Sequence, residues 1–255
     1  YQNVINIEKI SEVNPKKEAW YMASVSPYIQ WPINTQAMGY GDRTFWIIPF
    51  TTDRLPAVVY KAENTLDRMQ KREILNRFIS TLSWKTAGGI EIDGYGGGGR
   101  ISPWLKNGER PIKIIDAFEF NQMDFVSDPK ARLSLALIRE ARNLLNPIFS
   151  PTSNFYSFLN FWKVLEVTIG DGKIRDWITE NLSTANNKIQ SPSKVSVHQE
   201  ILAKHLHESC RHAVAHANKN PIVDPDLSTD TERILKVLPV IEALADLSIR
   251  QEYNL

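Results

Sequence analysis

Asp128-Pro129-Lys130-Ala131-Arg132-Leu133-Ser134-Leu135-Ala136-Leu137-Ile138-Arg139-Glu140-Ala141-Arg142 divides this chain into two textures. An aspartate followed by proline starts a helix. The carboxylate accepts from the open amides of the first turn, and the fixed φ of proline suits the first helical position. Leu133, Leu135, Leu137, Ile138, Leu144 and Leu145 then supply apolar positions, with Arg139, Glu140 and Arg142 on polar ones, until Asn146-Pro147 stops the helix. Strand signals dominate before this stretch and helix signals after it. The expected class is α+β, with a strand-rich α+β domain of unknown role over residues 1–127 and an all-α up-and-down four-helix bundle over 128–255.

Upstream, Val4 to Ile7, Ala19 to Ile33, Thr44 to Phe50 and Ala57 to Tyr60 are rich in aromatic and β-branched residues, and Pro27, Pro32, Pro49 and Pro56 punctuate them. From Asn64 to Trp84 the period becomes helical, with Leu66, Met69, Ile74, Phe78, Ile79 and Leu82 as the apolar stripe. Ile90-Glu91-Ile92 is a short strand, and Gly94 to Arg100 reads as a flexible loop or wide turn. Its glycines allow close approach to an anion, yet the spacing matches neither phosphate-loop nor dinucleotide-binding patterns. Arg100 and Trp104 beside it are candidate ligand contacts, and Pro111 to Ile115 is a further strand.

Downstream, Asn154 to Ile169 is apolar on nearly every face, which predicts a central helix, and Glu166 is its single acid. A short amphipathic piece (Lys173 to Leu182) and a polar loop (Ser183 to Lys194) follow. Ser196-Val197-His198-Gln199 and Thr229-Asp230-Thr231-Glu232 each have the form of a capping box opening a helix.

With 255 residues the chain can bury a sizeable core, and its net charge of +1 makes any basic footprint local. One cysteine, Cys210, excludes an intramolecular disulfide and a cysteine-based zinc ribbon. No apolar run nears the roughly 20 residues that span a bilayer, and no signal-peptide pattern opens the chain. A soluble cytoplasmic protein with no membrane partner is expected.

All five histidines (His198, His205, His207, His212 and His216) lie in the third helix, Ser196 to Asn220. On a straight α-helix, at about 100° per residue, four of them, all but His207, fall within roughly 40° of one another. Leu202, Leu206, Ser209 and Ala213 should face the core, with Arg211 and His216 on the outer, polar face. The last turn of a helix carries open carbonyls, which raise the pKa of a nearby histidine. His212 and His216 are spaced to share a cation with His205 or His207, but Ala213 stands where a metalloprotease helix carries glutamate. No carboxylate cluster completes a site, so neither metal nor cofactor is expected. An arginine and an imidazole five residues apart suit work on a phosphate; the bland alternative is a solvated helix face.

Arg211-His212-x-x-x-His216, late in the third long helix of a bundle, resembles the R-x4-6-H signature of HEPN domains, in which a polar residue (here His212) follows the arginine. The aromatic tract Tyr156 to Glu166 resembles the family pattern as well, and the resemblance covers about residues 128–255. It implies a metal-independent endoribonuclease acting as a homodimer, with Arg211, His212, His216 and Glu166 as catalytic residues. The substrate would be single-stranded or looped RNA, cleaved by 2′-hydroxyl transesterification in an antiviral defence or toxin-type setting. An antitoxin or other protein would be a partner. The whole chain also resembles, loosely, bacterial proteins of the methylamine utilisation protein MauJ type. The alternative implied by the HEPN resemblance is a non-catalytic RNA- or nucleotide-binding and dimerisation protein. Its first domain would be the sensor or ligand-binding module, with Trp84, Arg100 and Trp104 as contacts.

Overall fold

Ten residues from Glu18 to Pro27 form strand β1, and all but the first two are buried. A strand hidden on both faces belongs in the middle of a sheet. The computed structural model describes residues 18–51, 55–98, 114–145, 153–188, 199–215, 221, 223–224 and 226–255. In it β1 lies between β5 (Ala57–Glu63) and β6 (Ile90–Gly98). The remaining strands are β2 (Trp31–Pro32), β3 (Gln36–Tyr40), β4 (Arg43–Ile48), β7 (Ile114–Ile115) and β8 (Gln122–Met123). Sheet order is β6-β1-β5-β4-β3-β8, antiparallel except for the β3–β8 pair, and β2 pairs with β7 in a separate two-stranded ladder. By contact density the chain divides into Tyr1–Val126 and Ser127–Leu255.

Helix α1 (Arg68–Lys85) packs Leu75, Phe78, Ile79 and Leu82 against Tyr21, Val25, Phe45, Val58 and Tyr60 on one sheet face. The Phe45 and Phe78 rings stack at 4.0 Å. Trp20, Met22, Ile48, Ala57 and Val59 form a second cluster. Asp67 caps the helix: its carboxylate accepts from the Gln70 amide at 2.8 Å, and Gln70 accepts from the Asp67 amide at 2.9 Å. This reciprocal cap starts the helix four residues beyond the expected Asn64 and corrects its stripe. Leu66 precedes the helix, Met69 is 63% exposed, and Leu75 takes the inward place.

One strand without a sequence signal and one revised expectation also belong here. Strand β3, unmarked by β-branched residues, forms because the Gly41-Asp42 turn, with Gly41 at φ +62°, folds it back on β4. The glycine-rich tract is strand as far as Gly98, not a flexible loop. Its register pairs Trp20 with Gly98, Tyr21 with Gly97 and Met22 with Gly96. Val4 to Ile7, Arg100, Trp104 and residues 111–113 lie outside the described residues.

The second unit opens where expected. The Asp128 carboxylate accepts from the Ala131 amide at 2.7 Å, and Pro129 opens α2 (Pro129–Leu144). Its faces are not as expected, because Leu133 is half exposed while Arg139 and Arg142 are buried. Arg142 donates through Nε to Glu242 of α7 (Ser228–Tyr253) at 2.8 Å, and that partner lets an arginine replace a leucine at the contact. Helix α3 (Ser153–Thr168) packs on α2 and α7, and Ser157, buried, donates to the Ala141 carbonyl at 2.9 Å.

After a 3₁₀ turn at Asp171–Lys173 comes α4 (Ile174–Lys188), packed on α5 (Gln199–Lys204) and α7. Helix α4 replaces the short piece and part of the polar loop, adding a helix to the four expected, because Ile174, Ile178, Leu182 and Ala185 are all buried. The proposed box at Thr229 to Glu232 does not form. Helix α7 already begins at Ser228, and the Asp230 carboxylate accepts from the Asp224 amide at 2.8 Å instead. The other box, at Ser196 to Gln199, extends outside the described residues. Among the described residues no helix is long and apolar enough to cross a membrane.

A Cβ at Gly97 would stand 2.8 Å from the Tyr21 ring and 2.9 Å from the Trp20 carbonyl, whereas one at Gly98 would meet nothing within 4 Å. Gly97→Ala should therefore cost about 1–3 kcal/mol, and Gly98→Ala should stay within about 0.5 kcal/mol of the parent. Urea denaturation measures both, and equal effects would contradict this register.

Candidate functional site

Helix α5 does not continue as an α-helix. His205–His212 is a π-helical segment, and the chain returns to α at α6 (Ala213–Ala215). In a π-helix each amide bonds to the carbonyl five residues back, so residues i and i+5 share a face. On an α-helix they are about 140° apart. Two such pairs occur here. The Cys210 Sγ lies 3.6 Å from the His205 Nε2, and the His207 and His212 rings lie 4.3 Å apart between centroids.

The wider turns also change what faces inward. Four residues on an α-helix drift about 40° forward, and a π turn opposes that drift. Leu202, Leu206 and Cys210 are accordingly all buried, and Ser209, expected in the core, is only half-buried. The expected alignment of His205 with His212 gives way to the pairing of His207 with His212. Burial pushes the Cys210 thiol up to about 12, so it behaves as a core residue.

Arg211 is turned toward α3, not outward. It donates through Nη2 to Glu166 Oε1 at 3.1 Å, and both side chains are largely shielded from solvent. Trp162, one turn before Glu166 on α3, lies against the His207 ring with centroids 5.6 Å apart. His212 thus lies against His207, with Arg211 nearby and Glu166 joined to the group through Arg211, while His216 and His198 lie outside the described residues.

Burial and the Arg211 charge hold His207 below its ordinary pKa, with a further lowering from Arg175 and opposing pulls from Asp171 and Glu208. His205 is lowered as well, by burial and then Arg233. Both lie upstream of the last turn, where desolvation and a cation at close range set the direction; the rise expected from open carbonyls concerned His216, which lies outside the described residues. The arrangement offers a guanidinium fixed by one carboxylate, a neutral imidazole able to accept a proton, and a second imidazole touching it. Among the described residues no group of three or more His, Cys, Asp or Glu is placed to hold a metal ion.

His207 stands in the sequence only as an alternative cation ligand, and its neighbours Trp162, Asp171 and Arg175 carry no motif that marks them. Only knowledge of the π turn would have selected His207. Over residues 134–250 the chain matches the family model described as Methylamine utilization protein MauJ. That match contains Glu166, His207, Arg211 and His212 and lies within the helical unit. No curated protein and no solved structure matches the chain.

Because the folded pKa values of His205 and His207 lie below 6.5, the unfolded chain binds more protons as pH falls past that value. The contribution of these groups to stability is complete above about pH 6.5 and is lost as pH drops toward the folded values. NMR titration of the histidine rings should show His207 protonating below 6.5. Arg211→Gln should move that titration upward, because it removes a nearby cation. A His207 curve unaffected by the substitution would rule out the electrostatic contact.

Proposed function

We propose that the helical unit is a HEPN-like, metal-independent endoribonuclease that works as a homodimer, its principal helices corresponding to the four-helix bundle of that family. One observation carries the reading: Arg211 is held by Glu166 next to the His207–His212 pair. An arginine that donates to a carboxylate through one Nη retains its other N–H groups for phosphate oxygens.

In this mechanism His216 takes the proton of an RNA 2′-hydroxyl, and that oxygen attacks the adjacent phosphorus. The bond from phosphorus to the 5′-oxygen breaks, and a second histidine protonates the leaving oxygen. The products are a 2′,3′-cyclic phosphate and a 5′-hydroxyl. Arg211 stabilises the charge of the phosphorane. His212 orients the phosphate, and His207, held neutral by partial burial and the Arg211 charge, relays the proton. A dimer joined across this face would supply a second His216 to the same cleft. The setting would be cytoplasmic, in a defence or toxin-type system with a protein antagonist.

Labelled RNA incubated with the protein in excess chelator tests the reading. The parent should release ends bearing a cyclic phosphate, and Arg211→Ala and His216→Ala should each lose about 10²- to 10⁴-fold in rate. Glu166→Gln should lower the rate less, since it loosens Arg211 without removing it. Equal rates in all variants would remove these residues from catalysis. RNA bound but uncleaved, with His216→Ala unchanged, would favour the non-catalytic binding and dimerisation role.

A further inference from the structure

Along most of their length the α1-facing positions of β1 and β5 carry large side chains, among them Tyr21, Val25, Val58 and Tyr60. Next to the first turns of α1 these faces change character. Ala19 pairs with Ala62, and Gly97 sits across from Tyr21. Three small residues on neighbouring strands leave a recess of about 320 Å³, walled by Tyr21 and Tyr95 and bordered by Arg68 and Lys71. That volume falls within the range of small-molecule sites.

The charged side chains that line this recess, Arg68 and Lys71, are both cationic. Tyr21 is 8% exposed, and its hydroxyl has no hydrogen-bond partner. A buried polar group of that kind calls for an explanation. Arg68 and Lys71 make no ion pair among the described residues. Arg72 lies 4.8 Å over the Tyr95 ring, and its Nε is buried without a partner. The nearby acids on α1 are engaged, Asp67 in capping the helix and Glu73 with Arg77 at 3.3 Å. Two cations without an ion-pair partner among the described residues, beside a concave floor of small residues, suit a ligand that brings acceptor oxygens and more than one negative charge.

We propose that this recess binds a small phosphate-bearing ligand, with its phosphate between Arg68 and Lys71 and any remaining part over the floor of Ala19, Ala62 and Gly97. The ligand is inorganic phosphate or a mononucleotide, and the shared chemistry is the phosphate dianion. The recess lies wholly within the first unit, so the proposal stands independently of RNA cleavage by the second.

Calorimetric titration of the full chain with inorganic phosphate, AMP and adenosine decides the matter. At least one of the two anions should saturate a single site per chain, with adenosine at least tenfold weaker than AMP. Ala19→Leu, which fills the recess, and the double variant Arg68→Ala/Lys71→Ala, which changes only outward-reaching side chains, should each weaken anion binding at least tenfold. Thermal melts of the variants check that they remain folded. Equal affinity for phosphate and AMP would assign the site to phosphate alone, and tighter AMP would add the nucleoside to the floor. Absence of saturable anion binding, adenosine as tight as AMP, or unchanged affinity in the folded charge variant would overturn the proposal.

Discussion

Backbone hydrogen bonding through His205–His212 reaches one residue further than in an α-helix, and the chemistry of the second unit depends on that extra residue. It brings His207 under His212, sets Cys210 on the buried side with Leu206, and turns Arg211 toward Glu166. A regular α-helix over the same residues would place His207 and His212 on different faces. A wide turn of this type sacrifices some of the regularity of backbone bonding, and its persistence has a packing reason. Leu202, Leu206, Cys210 and Ala213 are all buried along one side. The site is therefore a by-product of keeping that apolar side in register.

The first unit depends on a similar constraint expressed through glycine. Strand β6 pairs with β1 through residues that carry no side chain, so the Tyr21 ring lies where a Cβ at residue 97 would otherwise stand. Close approach and small neighbours together leave the recess under α1. The same small residues that would weaken an ordinary strand here create a concave surface edged by cations. The candidate ligand chemistry thus collects at a wide helical turn in the second unit and at a regular strand ladder stripped of side chains in the first.

Much was legible in the amino-acid order alone. The change from strand to helix texture, the Asp128-Pro129 helix start and the burial of the aromatic tract around Phe158 and Trp162 follow from local propensity and hydrophobic period. The pairing of Glu166 with Arg211 was within reach of the sequence only through the HEPN resemblance, since 45 residues separate them. Periodicity misread Met69 and Leu133 as inward because each stands at an apolar spacing near a helix start, where the cap decides the phase. It misread Arg139 and Arg142 as outward because a buried arginine is recognisable only once its partner is known, as Glu242 is for Arg142.

By itself, then, the sequence determined the fold class, the order of most elements and the identity of the charged and imidazole groups available for chemistry. Those properties are local: caps, periods and residue types act within a few positions along the chain. Tertiary structure alone decided that β6 runs through the glycines, that α4 is a full helix and that His207 joins His212. In each case the deciding contact comes from elsewhere, from β1 for the glycines, from α5 and α7 for α4, and from the packing that sustains the π turn for His207. Interactions of that range leave no periodic signature in the residues they organise.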